Sequence, residues 1–161
     1  MSIESYANRI SVDHLDIIRE FTQAAPIRVG ALAKALGLKV VVASLPLQVS
    51  GMLKPDDEGA YVIKVNRFEP KNRQRFTIAH EIAHFLLHRS LIANGVVDSA
   101  LYRSKLSSRL EAEANRLAAD ILMPRPLIER EKDNAPGGVD LDCYLAQKFE
   151  VSVPAMDIRT G

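Results

Sequence analysis

Apolar residues recur at three- and four-residue steps in several stretches of the chain, and a β-branched block interrupts them between residues 39 and 66. Val12, Leu15, Ile18 and Phe21 with charges between them predict an amphipathic helix over 11–23, with Ser11 as its N-cap. A shorter helix is expected over 29–36, stopped by Gly37. Lys39-Val40-Val41-Val42-Ala43 favours a strand, Ser50 to Lys54 a second, and Ala60 to Asn66 a third. The turn-rich Lys54-Pro55-Asp56-Asp57-Glu58-Gly59 makes the second and third an antiparallel hairpin.

From Pro70 to His88 the pattern is helical again, with Pro70 in the first turn and Phe76, Ala79, Ile82, Ala83 and Leu86 on one stripe. Residues 91–108 are poorly patterned and read as an irregular connection. A further helix is expected over 107–122, where Leu110, Ala114, Leu117, Ala118 and Ile121 share a face. Met123-Pro124-Arg125-Pro126 ends or bends it. The last helix is expected over 141–149, after which Val151-Ser152-Val153-Pro154 turns the chain into a short terminal segment.

Composition narrows the class of protein. The chain has 161 residues, 47% apolar and 25% charged, which suits one globular domain. Twenty-one Lys and Arg against 20 Asp and Glu leave a formal charge of +1, too little for tight non-specific nucleic-acid binding. One cysteine, Cys143, excludes an intrachain disulfide and a Cys-rich zinc ribbon, and fits a reducing compartment. No leader-like or membrane-length apolar run is seen, so the expectation is a cytoplasmic protein.

The chemistry concentrates in His80-Glu81-Ile82-Ala83-His84 on the 70–88 helix. Positions four apart sit about 40° apart in projection and one turn along the axis, so both imidazoles can reach one metal ion. Glu81 lies between them, placed to take a proton from a water beside the ion. His88 continues the series, but it lies about 12 Å along the axis from His80, too far to share that ion. It reads as a helix-terminal or substrate-side residue, or as a cation near the helix C-terminus.

A catalytic zinc site needs a third protein ligand. Cys143 sits in another setting, so a carboxylate is expected, and Glu111 and Glu113 are the best supply. Each lies roughly 80° from the centre of its helix's apolar stripe, on opposite flanks, and periodicity does not choose between them.

The stretch from His80 to His88, followed by Glu111-Ala112-Glu113-Ala114-Asn115-Arg116-Leu117-Ala118-Ala119-Asp120-Ile121-Leu122-Met123-Pro124, resembles the ImmA/IrrE family of zinc peptidases. The resemblance reaches upstream through Ser50-Gly51-Met52, Val65-Asn66 and Arg75-Phe76-Thr77. It implies a mainly helical, zincin-like α+β domain with a small, mostly antiparallel sheet beside the metal helix. It implies Zn2+ as cofactor and Glu113, the Glu before Ala-Asn, as third ligand. One domain over 1–161 is expected, with the peptidase core at about 25–130 and a C-terminal helical segment at 131–161. The chain resembles the short, peptidase-only members, whose implied substrates are helix-turn-helix repressors or antitoxins encoded nearby.

Peptidases of the thermolysin sort place an Asp four residues after the ligand Glu, where this chain has Leu117. Asp120, two turns beyond Glu113 on the same side, is expected to hydrogen-bond a zinc histidine or else to be a surface charge. Tyr102, His88 and Arg103 are candidates for stabilising the oxyanion. The strand over 60–66 is expected to be the sheet edge on which a substrate pairs.

Two other readings compete with peptide hydrolysis. One is a zinc-stabilised anti-repressor or toxin that binds its partner without cutting it. The other is a DNA-binding regulator, because 27–38 and 145–152 each resemble half of a helix-turn-helix. A strand follows the first, and only about eleven residues follow Glu150 in the second, so neither leaves room for a usual recognition helix. No membrane and no direct nucleic-acid partner are expected.

Overall fold

The computed structural model describes residues 2–92, 96–99 and 108–161. After a 3-10 turn at Ile3–Tyr6, the elements run α1 (Val12–Phe21), α2 (Val29–Ala35), β1 (Lys39–Ala43), β2 (Val49–Pro55), β3 (Tyr61–Asn66) and α3 (Lys71–Leu87). They continue with β4 (Val96–Ser99), α4 (Ser108–Leu122), α5 (Arg125–Lys132), α6 (Leu141–Phe149) and α7 (Val153–Thr160). The class is α+β, mainly helical with one small mixed sheet.

Local chemistry explains most boundaries. The Ser11 hydroxyl accepts from the His14 amide at the start of α1. Gly37, at φ +87°, takes the left-handed conformation that ends α2. Pro70 precedes α3 as its cap instead of entering the first turn. Two helices escape the sequence pattern. Pro124 does not simply end α4, because Arg125 and Pro126 open α5, where a proline costs no hydrogen bond. Pro154 opens α7 in the same way, with the Ser152 hydroxyl accepting from the Ala155 amide.

The sheet has the order β1-β3-β2-β4. The hairpin β2–β3 is antiparallel, pairing Leu53 with Ile63 and Gly51 with Val65, and β1 lies parallel to β3. β4, inside the stretch that reads as irregular, pairs antiparallel with β2. Thus β3 is flanked on both sides, and the strand expected to be a substrate-accepting edge is internal. Among the described residues, β1 and β4 are the edges.

α3 lies against the inner face of the hairpin and packs most extensively on α4. Gly51 permits this approach, since a Cβ there would stand 2.5 Å from Thr77 Cγ2 and 2.7 Å from the Lys64 carbonyl oxygen. The helix is buried on more than its apolar stripe. Besides Ala79, Ile82, Ala83 and Leu86, the polar side chains of Thr77, His80, Glu81, His84 and His88 are buried too. Buried polar groups need partners, and α4 supplies them for His80, His84 and His88.

The C-terminal helices share the same core, through Leu145, Phe149, Val151 and Met156. Arg75 on α3 donates to the Phe149 and Glu150 carbonyls, capping the end of α6. α6 and α7 form a tight two-helix unit, with Glu150 at φ 54° in the turn. A second helix therefore does follow 145–152, contrary to the expectation from chain length. Its single arginine, Arg159, is buried against Asp120, whereas Val153, Asp157 and Ile158 are exposed. A helix facing solvent without a cation is poorly suited to phosphate contacts.

Candidate metal centre

The site is assembled by two helices whose apolar stripes bring their polar flanks together. Ala114, Leu117, Ala118 and Ile121 of α4 are fully buried, and their small and aliphatic side chains let the helix lie close to α3. Glu111 and Glu113 therefore emerge on opposite flanks of that contact and meet different histidines.

Glu111 is the carboxylate at the His80–His84 pair. Its Oε2 lies 3.1 Å from His80 Nε2, and its Oε1 lies 3.2 Å from His84 Nε2. The two Nε2 atoms are 3.1 Å apart. Ligands about 2.05 Å from a tetrahedral zinc stand about 3.3 Å from one another, so three atoms at these separations fit one ion. The His80, His84 and Glu111 set fits a metal by both geometry and donor type. Burial raises the Glu111 pKa, but the contacts from His80 and His84 outweigh it and hold the carboxyl well below the usual carboxylate range. The carboxylate is thus ionised at neutral pH.

The resemblance pointed to Glu113 instead, and here the geometry corrects it. Glu113 forms an ion pair with Arg9 and lies 3.4 Å from His88 Nε2. The Arg9 contact lowers its pKa despite some desolvation, keeping it anionic. The physical reason is angular: two residues along a helix turn the side chain by about 200°, so only one of the pair faces the His80–His84 ring nitrogens.

His80 is held by a second residue from the same flank as Glu111. Its Nδ1 lies 2.8 Å from Asn115 Oδ1, which turns Nε2 toward Glu111 and His84. Glu111 and Asn115 are four apart, the same spacing as His80 and His84. That i, i+4 match between helices is the sequence signal that selects Glu111. His84 Nδ1 lies 3.0 Å from His88 Nδ1. His88 sits at the C-cap of α3, is 1% exposed, and has its pKa lowered chiefly by burial. The ring stands behind His84, between it and Glu113.

Glu81, between the two histidines in sequence, is fully removed from solvent. Asp120 does not meet a zinc histidine, nor is it a surface charge. It is 2% exposed, pairs with Arg159 Nη2 at 2.8 Å and accepts from the Tyr6 hydroxyl at 3.2 Å. Its side chain ties the N-terminal segment and α7 to α4. Tyr102 and Arg103 lie outside the described residues. Arg9 and Tyr6, far upstream in sequence, had no pattern to mark them.

The chain is 37% identical over 92 residues to the radiation response metalloprotease IrrE of Deinococcus radiodurans, a match covering 56% of this chain and 28% of that protein. It thus spans little more than a quarter of that relative. A transcriptional regulator from Mycobacterium tuberculosis has the same fold, with a TM-score of 0.58 at 19% identity over 97% of this chain and 49% of that one. Among the described residues, no helix is long and apolar enough to cross a membrane. Residues 33–160, which span the sheet, both metal-site helices and the C-terminal pair, match the Peptidase M78 model, the IrrE N-terminal-like domain, and the chain belongs to that metallopeptidase family.

Proposed function

We propose that this chain is a zinc-dependent endopeptidase that cleaves a helix-turn-helix repressor or antitoxin encoded near its own gene. The observation that carries the reading is the convergence of His80 Nε2, His84 Nε2 and a Glu111 oxygen, with Glu81 buried on the same helix. Two imidazoles and a carboxylate are the donor set of zinc peptidases. The substrate class rests on the sequence resemblance. A cytoplasmic setting fits the lone, exposed Cys143 thiol.

His80, His84 and Glu111 would hold a zinc ion, which would supply Lewis-acid chemistry, acidifying a water and polarising the scissile carbonyl. Glu81 accepts the proton of the attacking water and delivers it to the leaving amine. Asn115 and His88 keep the two imidazoles aimed through Nε2, while the α3–α4 contact fixes the spacing of the three ligands.

The test is incubation of the zinc-loaded protein with the repressor encoded beside its gene, with fragments read by mass spectrometry. Wild type is expected to cut, and Glu81→Gln to keep its zinc and not cut. Cleavage by Glu81→Gln at the wild-type rate would overturn the role of Glu81. A repressor released from its operator but left intact by wild type would replace the peptidase reading with one of binding alone.

A further inference from the structure

His80 and His84 are supported by chemically different partners. Both have Nε2 at the metal site, so in the bound state each must carry its proton on Nδ1. For His80 that proton has a simple acceptor, Asn115 Oδ1 at 2.8 Å. For His84, 1% exposed and beyond the reach of solvent, the partner is another imidazole, His88 Nδ1 at 3.0 Å.

An imidazole is an ambiguous partner, because it accepts through one nitrogen only if its proton sits on the other. His88 Nδ1 can accept from His84 only with its proton on Nε2. That Nε2 lies 3.4 Å from Glu113 Oε1, and the other Glu113 oxygen meets the Arg9 guanidinium. Each proton in the series then has one place: His84 Nδ1–H donates to His88, His88 Nε2–H donates to Glu113, and Arg9 donates to Glu113. In the opposite tautomer, His88 Nδ1–H would donate to His84 Nδ1. The His84 proton would move to Nε2, where the metal must bind.

We propose that His88, Glu113 and Arg9 form a positioning relay that selects the metal-binding tautomer and orientation of His84. The relay rests on the zinc reading of the site and adds a role for the carboxylate beside the ligand. Its outer end belongs to this chain's own N-terminal segment, since Arg9 precedes the matched family region at 33–160.

Zinc affinity, measured by chelator competition, tests the relay without recourse to activity. His88→Leu is expected to weaken zinc binding about 10- to 100-fold. His88→Asn, whose amide oxygen can accept from His84, is expected to recover most of that loss. Glu113→Gln and Arg9→Met are expected to weaken binding less, by about 3- to 10-fold. Nitrogen-15 NMR of the zinc-loaded wild type supplies a second measurement that does not depend on folded variants. It is expected to show Nδ1–H on His84 and Nε2–H on His88. Nδ1–H on His88, or wild-type zinc affinity in folded His88→Leu, would overturn the relay and leave the zinc reading intact. Failure of the wild type to bind zinc at all would overturn the zinc reading itself.

Discussion

The Oε1 atom of Glu111 lies 3.2 Å from His84 Nε2, closing a triangle with His80 that leaves Glu113 outside. Two glutamates separated by one alanine thus meet different histidines, Glu111 the His80–His84 pair and Glu113 His88.

Glu111→Gln is therefore expected to lose zinc affinity by more than about 100-fold, and Glu113→Gln to lose far less. Isothermal titration or chelator competition on the two variants decides the matter. Near-complete loss of zinc in Glu113→Gln with retention in Glu111→Gln would reverse the ligand assignment.

Asn115→Leu removes the acceptor for His80 Nδ1–H, but Asn115 is exposed and water can replace it. The expected loss of zinc affinity is about 10-fold, at the low end for residues that support a ligand. Cobalt substitution reads the same change as a shift in visible absorption.

Asp120 and Arg159 form a buried ion pair on the far side of α4 from this chemistry. Removing one partner leaves the other charge without compensation, so Asp120→Ala should cost about 3–5 kcal/mol of stability. Urea denaturation should show that loss. Zinc affinity of the folded fraction should stay within a few-fold of wild type, because Asp120 touches neither metal histidine.

Tyr6 gives a pH signature to the same cluster. Burial first, and then the Asp120 charge, push its pKa up from 10.0 to about 12. In that window the folded state keeps a proton that the unfolded chain has lost, so stability falls as pH rises from about 10 to about 12. Below pH 10 this contribution is fully present. Tyr6→Phe should lack the alkaline decline, as followed by thermal melts at pH 9, 10 and 11.

Gly51→Ala should destabilise the fold by about 1–3 kcal/mol through overpacking, because its Cβ would press on Thr77 and the Lys64 carbonyl. The first contact lies between the hairpin and α3, the second within the hairpin itself. Chemical denaturation with unchanged slope but a lower midpoint would show it.

The helices α1, α2, α3, α4 and α6 and the hairpin β2–β3 were legible in the sequence, because hydrophobic period, caps and turn residues act within a few neighbours. So was the placing of His80 and His84, since i, i+4 geometry is local to one helix. Pro154 and Pro126 hid α7 and α5, where proline works as a starter and reads locally as a breaker. β4 carries too short a signal to stand apart from its surroundings, and it takes its place as a strand by pairing with β2.

What the tertiary structure decided concerns residues whose partners are remote in sequence. The angle at which α4 lies on α3 sends Glu111 to the metal pair and Glu113 to His88. The return of the N-terminus and of α7 to α4 brings Tyr6 and Arg159 to Asp120, and Arg9 to Glu113. Periodicity states which face of a helix is buried. Which flank meets which partner depends on how two helices cross, and that is set by the packing of the whole core.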